Sequence, residues 1–210
     1  MSSSKIARPD SFRILIIGRA NAGKTTILRA VCGAEGEPDV YDQDGKKVCA
    51  FVLAICTHAF SQRREHNVEY SLRFPSSPGF VFHDSRGFES GAIEELELVR
   101  EFIRKKASLG SVTNQLHAIW YCFSADSNRF MTAADKEFFN TIDTGTVPVI
   151  AIFTKFDAHD ATAFSTLSEQ GVPFVEAQRR APEHAQAQFN QDFLPLIKQL
   201  AHPPRAEVCL

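Results

Sequence analysis

Apolar residues along this chain fall into two kinds of pattern. Short, nearly unbroken runs occupy 14–17 (ILII), 80–83 (FVFH), 116–123 (LHAIWYCF) and 147–153 (VPVIAIF), as expected of strands buried on both faces of a parallel sheet. Residues 48–55 form another such run, and 68–74 alternate, with Val68, Tyr70, Leu72 and Phe74 on one side, so both are expected as strands. Between the runs the period changes to that of helices. Ile27, Leu28 and Val31 make a first stripe; Ile93, Leu96, Val99, Phe102 and Ile103 make a second over 91–107, acidic at its start and basic at its end. Thr132 to Asp135 reads as a helix start, with Phe138, Phe139 and Ile142 as the buried side. Phe189, Phe193, Leu196, Ile197 and Leu200 mark a last helix over 188–201, kinked at Pro195. The tract 172–175 is legible either as a final strand or as part of a helix. Strand, helix, strand, helix is the alternation of an α/β fold: three layers, with a mostly parallel central sheet flanked by helices and ligands bound at the strand C-termini.

The first run leads directly into chemistry. After 14–17 come Gly18, four free residues, then Gly23-Lys24-Thr25, and the first helical stripe begins at once. This is the phosphate-cradle spacing in its strand, loop and helix setting. Glycines let successive N–H groups turn inward, and the helix N-terminus adds its positive end. Lys24 is then placed to reach the β- and γ-phosphates and Thr25 to ligate a bridging Mg²⁺, with Asn21, Ala22 and Thr26 lining the same loop.

Two further motifs end two further runs. Asp84-Ser85-Arg86-Gly87 follows 80–83, 84 − 24 = 60 residues beyond the loop lysine, and suits a magnesium-side carboxylate at Asp84 and a γ-phosphate N–H at Gly87. Thr154-Lys155-Phe156-Asp157 follows 147–153. The polar segment between the runs at 48–55 and 68–74 is where a nucleotide-sensing loop is expected; Thr57 and Ser61 are its candidate magnesium ligands, and spacing does not choose between them. His58 and His66 in that segment are expected to face solvent. Trp120 and Tyr121 are expected to contact core or helices, not a ligand. Asp42 and Asp44-Gly45 make a surface turn, not a calcium loop, since Val40 and Phe51 fall at its first and twelfth ligand positions.

Composition narrows the field without redirecting it. The 210 residues are 44% hydrophobic and 23% charged, with a formal net charge of -2 and no basic block, so neither nucleic acid nor an acidic membrane is indicated as a partner. Five scattered cysteines form no zinc or disulfide pattern and fit a reducing compartment. No leader, membrane span or prenylation box is legible, and a cytoplasmic location is expected. Residues 1–11 read as a disordered lead, 12–201 as one domain and 202–210 as a flexible tail.

GRANAGKT at 18–25, DSRG at 84–87 and TKFD at 154–157, each closing an apolar strand, resemble the motifs of the P-loop GTPases over roughly residues 12 to 200. That resemblance implies Mg-GTP and GDP binding and slow hydrolysis by water attack on the γ-phosphate. It implies catalytic roles for Lys24, Thr25 and Gly87, metal binding by Thr25 and Asp84, and nucleotide binding by Gly18, Asn21, Ala22, Gly23, Lys24, Thr25, Thr26, Asp84, Gly87, Thr154, Lys155 and Asp157. Lys155 is expected to pack across the loop. The resemblance also implies that the Asp157 carboxylate accepts two hydrogen bonds from guanine; adenine would leave a buried carboxylate unpaired, at a cost of about 1–3 kcal/mol. Thr154 stands where Asn is usual. Phe88 stands where Ras-like enzymes carry the water-orienting glutamine, and this looks like the branch containing Era-like and septin-like proteins. In potassium-activated members of that branch an Asn at the place of Asn21 helps hold K⁺; the residue also suits a plain turn. Glu176-Ala177-Gln178 is the nearest counterpart of the last base loop. The phrases GFVFHDSRGFE and LHAIWYC are similar to little-characterised fungal G-domain proteins. Arg86 is expected to face the phosphates, a partner subunit or solvent. A partner or second copy would read the switch loops near 55–67 and 84–92. The alternatives are a GTP-dependent interaction module with negligible hydrolysis, and an ATPase or nucleotide kinase sharing only the first loop.

Overall fold

The computed structural model describes residues 10–48, 67–85, 87, 93–107, 114–126 and 131–210. The expected strand at 48–55, except for Val48, lies outside these, as do Thr57, Ser61, His58, His66, Arg86 and Phe88.

Apolar runs form the middle of the sheet. Strands β1 (Phe12–Gly18), β4 (Phe80–Asp84), β5 (Ala118–Ser124) and β6 (Val149–Thr154) lie side by side. With β2 (Asp39–Tyr41), β3 (Ser71–Arg73) and β7 (Ala206–Cys209), they make a seven-stranded sheet in the order β2-β3-β4-β1-β5-β6-β7. Every pairing from β4 through β7 is parallel, and β2 and β3 join as an antiparallel edge. Parallel neighbours need crossovers, and helices supply them. They are α1 (Lys24–Cys32), α2 (Ile93–Ala107), α3 (Ala133–Thr141), α4 (Asp157–Glu169), α5 (Phe174–Asp192) and α6 (Leu194–Lys198).

Strand alternation divides the core in two. Leu15, Ile17, Tyr121, Phe123 and Phe153 face a layer that includes Leu96, Val99, Phe102, Phe138, Phe139, Phe189 and Ile197. Ile14, Ile16, Phe82, Cys122 and Ile152 face Ile27, Leu28 and Cys32 of α1, the one described helix contributing to that second core. The architecture is α/β with helices on both sides, compatible with three layers. No described helix is long and apolar enough to cross a membrane.

Several local expectations hold. The turn at Asp44-Gly45 is present, with Gly45 at φ 76° and the Asp42 carboxylate accepting from the N–H groups of Asp44 and Lys46. Thr132 caps α3 through a reciprocal box with Asp135, and Phe138, Phe139 and Ile142 are buried. Tyr121 is fully buried against the helices.

Others are corrected. Val31 is 47% exposed, because α1 has no second described helix beside it on that face. The alternating stretch 68–74 pairs only over Ser71–Arg73, since a turn with Tyr70 N–H bonded to the Asn67 carbonyl occupies its first half. Residues 172–175 are no strand: Pro173 sits at the N-cap of α5, a position that needs no backbone donor. Glu176-Ala177-Gln178 lies inside that helix with Ala177 buried, so it forms no base loop. The helix expected over 188–201 breaks at Phe193, and Pro195 opens a new one instead of kinking the old. The tail at 202–210 carries β7, whose parallel pairing on β6 is made by backbone groups while Ala206, Glu207 and Val208 stay exposed. Exposed side chains leave little apolar signal to read.

Candidate functional site

Because β1, β4, β5 and β6 run parallel, their C-terminal ends reach one edge of the sheet. Register places Gly18 beside Cys122, Asp84 beside Ile16, and Thr154 beside Ser124. All three motifs therefore begin along that edge.

The 18–25 loop is shaped by what its residues permit. Gly18 has φ 150°, and a Cβ there would lie 2.5 Å from the Cys122 carbonyl oxygen, so only glycine lets β1 end this close to β5. Asn21 and Gly23 take left-handed conformations, at φ 61° and φ 72°. The Ala22 N–H closes a tight turn on the Arg19 carbonyl, 3.2 Å away. No side chain caps α1, which leaves the first-turn N–H groups directed at whatever enters from the loop. Lys24 folds back over the loop, donating to the Gly18 carbonyl at 3.1 Å and the Arg19 carbonyl at 3.2 Å. Thr25 and Thr26 are exposed in the first turn, while Ala22 is buried beneath it.

Two neighbours bear on this loop. A Cβ on Gly87 would come within 2.4 Å of the Ala20 nitrogen, so the backbone of the second motif lies directly against the first. Thr154 is buried, and its hydroxyl has the Ala22 carbonyl at 3.2 Å and the Phe123 carbonyl at 3.1 Å. With one proton it donates to one of them at a time. Thr154 thus ties β6 to the loop from below.

Asp84 has an oxygen, Oδ1, that is buried and makes no hydrogen bond. Burial pushes its carboxyl pKa up to about 6, against the pull of the Lys24 charge. The Ser85 hydroxyl beside it is also buried and unpartnered. A buried carboxylate oxygen without a hydrogen bond fits a hard cation. Among the described residues no group of three or more His, Cys, Asp or Glu could hold one alone, so a metal here would take other ligands from water and substrate.

Compared with family models and with curated proteins, the chain matches none.

The third motif is less gathered. Lys155 is left-handed at φ 56°, and its ammonium pairs with Asp126 at 2.8 Å. Asp157 is the exposed first residue of α4. The end of β7 reaches the same motif, since the Phe156 N–H donates to the Leu210 carbonyl at 2.9 Å.

Two buried polar groups escaped the sequence reading. His83, 1% exposed, donates from Nδ1 to the Val68 carbonyl at 2.9 Å, which leaves Nε2 to accept from Arg13 at 2.7 Å. Burial and the Arg13 charge bring its pKa down to about 4. Asp135, also 1% exposed, accepts from Tyr121 and Thr132 and lies 4.0 Å from the Arg19 guanidinium in the loop. The capping box at Thr132 was legible; its partner in the loop was not.

Proposed function

We propose that this chain is a P-loop GTPase domain working as a nucleotide-dependent switch. The observation that carries the reading is the Asp84 carboxyl: its Oδ1 is buried without a hydrogen-bond partner, and it feels the Lys24 charge beside an uncapped helix N-terminus. That pairing of an anion cradle with a cation-ready oxygen is what a Mg²⁺-bound nucleoside triphosphate requires.

In this reading the N–H groups of Gly23, Lys24, Thr25 and Thr26 hold the phosphates. Lys24 leaves its carbonyl partners in the loop and neutralises charge on the β- and γ-phosphates. Thr25 and Asp84 would hold Mg²⁺, which supplies charge neutralisation when bound. Gly87 offers its N–H to the γ-phosphate. Water attacks the γ-phosphorus, the bond to the bridging oxygen breaks, and GDP leaves with that electron pair. Catalysis is by positioning and charge, with no covalent enzyme intermediate. The Phe88 side chain has no polar group to orient the water, so turnover is slow. Asn21 would recruit K⁺, and its left-handed backbone suits that role and a plain turn alike. Asp157 selects guanine, and the loops around 55–67 and 84–92 signal to an effector or to a second copy. A cytoplasmic site of action follows from the same reading.

A second reading, binding without appreciable hydrolysis, is favoured by Phe88 alone. Phosphate release from GTP over hours, with Lys24→Ala as the blank, separates the two. Release above the blank is expected; GTP binding with release equal to the blank would leave the interaction module.

A further inference from the structure

Asp135 is a buried carboxylate that the nucleotide chemistry does not use. Its Oδ1 accepts from the Tyr121 hydroxyl at 2.7 Å, and its Oδ2 from the Thr132 N–H at 2.7 Å and the Thr132 hydroxyl at 2.8 Å. Tyr121 is itself fixed, fully buried with its ring 4.8 Å from those of Phe123, Phe138 and Phe139. Three neutral donors orient the group without cancelling its charge. Among the described residues the cation facing it is Arg19, whose Nε lies 4.0 Å from Oδ2 with only 17% of the side chain exposed. At this burial an ion pair is screened little by solvent or salt.

Arg19 is the first residue of the loop after Gly18. Its carbonyl accepts both the Lys24 ammonium and the Ala22 N–H, at 3.2 Å each. Its carbonyl carbon would stand 3.0 Å from a Cβ on Gly87. The peptide that sets the resting place of Lys24 and abuts Gly87 is therefore the one whose side chain reaches α3.

We infer that Asp135 and Arg19 form a positioning pair, in which the N-terminus of α3, oriented by Tyr121, holds the 18–25 loop in its anion-receiving conformation from outside the loop. The pair touches no substrate and acts through the backbone of residue 19. This inference rests on the nucleotide-site reading above. It also makes the start of α3 a place from which nucleotide release can be altered.

The test is a double-mutant cycle on the full chain, read by release of mant-GDP in stopped flow and by thermal melting. Arg19→Met and Asp135→Asn are each expected to speed release about three- to tenfold, with the double variant within about twofold of the faster single one. Arg19→Lys is expected to restore at least half of the loss. Tyr121→Phe, which keeps the ring packing, replaces Asp135→Asn in the cycle if the latter does not fold, with the same non-additivity. Multiplicative effects, or melting shifts with release rates unchanged, would overturn the inference while leaving the site intact. Absence of mant-GDP binding to the wild-type chain would sink the nucleotide-site reading and this pair's role with it.

Discussion

Replacing Asp84 by Asn is expected to stabilise the nucleotide-free protein, although it removes a residue at the heart of the proposed site. Burial raises its pKa from 3.8 to about 6. At about 1.4 kcal/mol per unit, the ionised group costs up to about 3 kcal/mol at neutral pH. The Asn amide recovers part of that, because its own donors must find partners, so about 1–3 kcal/mol is expected. The sign follows from proton binding. Between pH 3.8 and 6 the native state holds the Asp84 proton and the unfolded chain does not, so this group's contribution falls as pH rises through that window. The gain in Asp84→Asn should be full above pH 7 and vanish near pH 4. His83 works in the opposite direction: its pKa is lowered from 6.5 to about 4, so its contribution is present above pH 6.5 and lost as pH falls towards 4. The two adjacent residues offset each other in the wild type, and the variant uncovers the acid sensitivity of His83. Urea unfolding of nucleotide-stripped protein at pH 4.5, 5.5, 6.5 and 7.5 reads both effects. A variant less stable than wild type at pH 7.5, or a difference that does not change with pH, would mean that burial of the ionised Asp84 does not destabilise the fold.

Gly18→Ala should cost about 3 kcal/mol and Gly23→Ala about 1–2 kcal/mol. The first Cβ meets the Cys122 carbonyl at 2.5 Å, whereas the second meets Thr154 at an ordinary 3.4 Å and suffers only from its φ of 72°. Melting temperatures in the reverse order would contradict that geometry. Thr154→Val keeps the shape but removes the donor to Ala22 and Phe123, and should lower stability by about 1 kcal/mol, or about 2–4 °C in melting temperature. If Asn21 recruits potassium, GTP turnover is faster in KCl than in NaCl and Asn21→Ala abolishes the difference; equal rates in both salts remove that role.

The middle of the fold was legible because its signals are local. Runs such as 14–17 and 147–153 have one reading in an α/β chain, and the Thr132 to Asp135 box announces a helix within four residues. β7 was missed because its pairing uses backbone groups and its side chains are exposed. The α5–α6 break was missed because Pro195 suits a kink or a helix start equally well until Phe193 is seen to end one helix and cap the next. At the site, spacing was enough to nominate Gly18 to Thr25, Asp84, Gly87 and Thr154, which the parallel register brings to one edge. The pairing of Lys155 with Asp126, and of Arg19 with Asp135, joins residues whose proximity only the folded sheet creates. Asp157 was nominated by motif alone, and its exposed place at the start of α4 leaves its partner to experiment.

Calorimetric titration with GTP, GDP, ATP and XTP in the presence of Mg²⁺ reads nucleotide binding and base preference together. GTP and GDP are expected to bind at least about tenfold more tightly than ATP, because adenine would take the Asp157 carboxylate out of water and leave it unpaired, and Asp157→Asn is expected to shift preference from GTP to XTP. Equal affinity for GTP and ATP, or guanine preference unchanged in Asp157→Asn, would contradict the assignment of guanine recognition to Asp157; no binding of any of the four would contradict the nucleotide site itself.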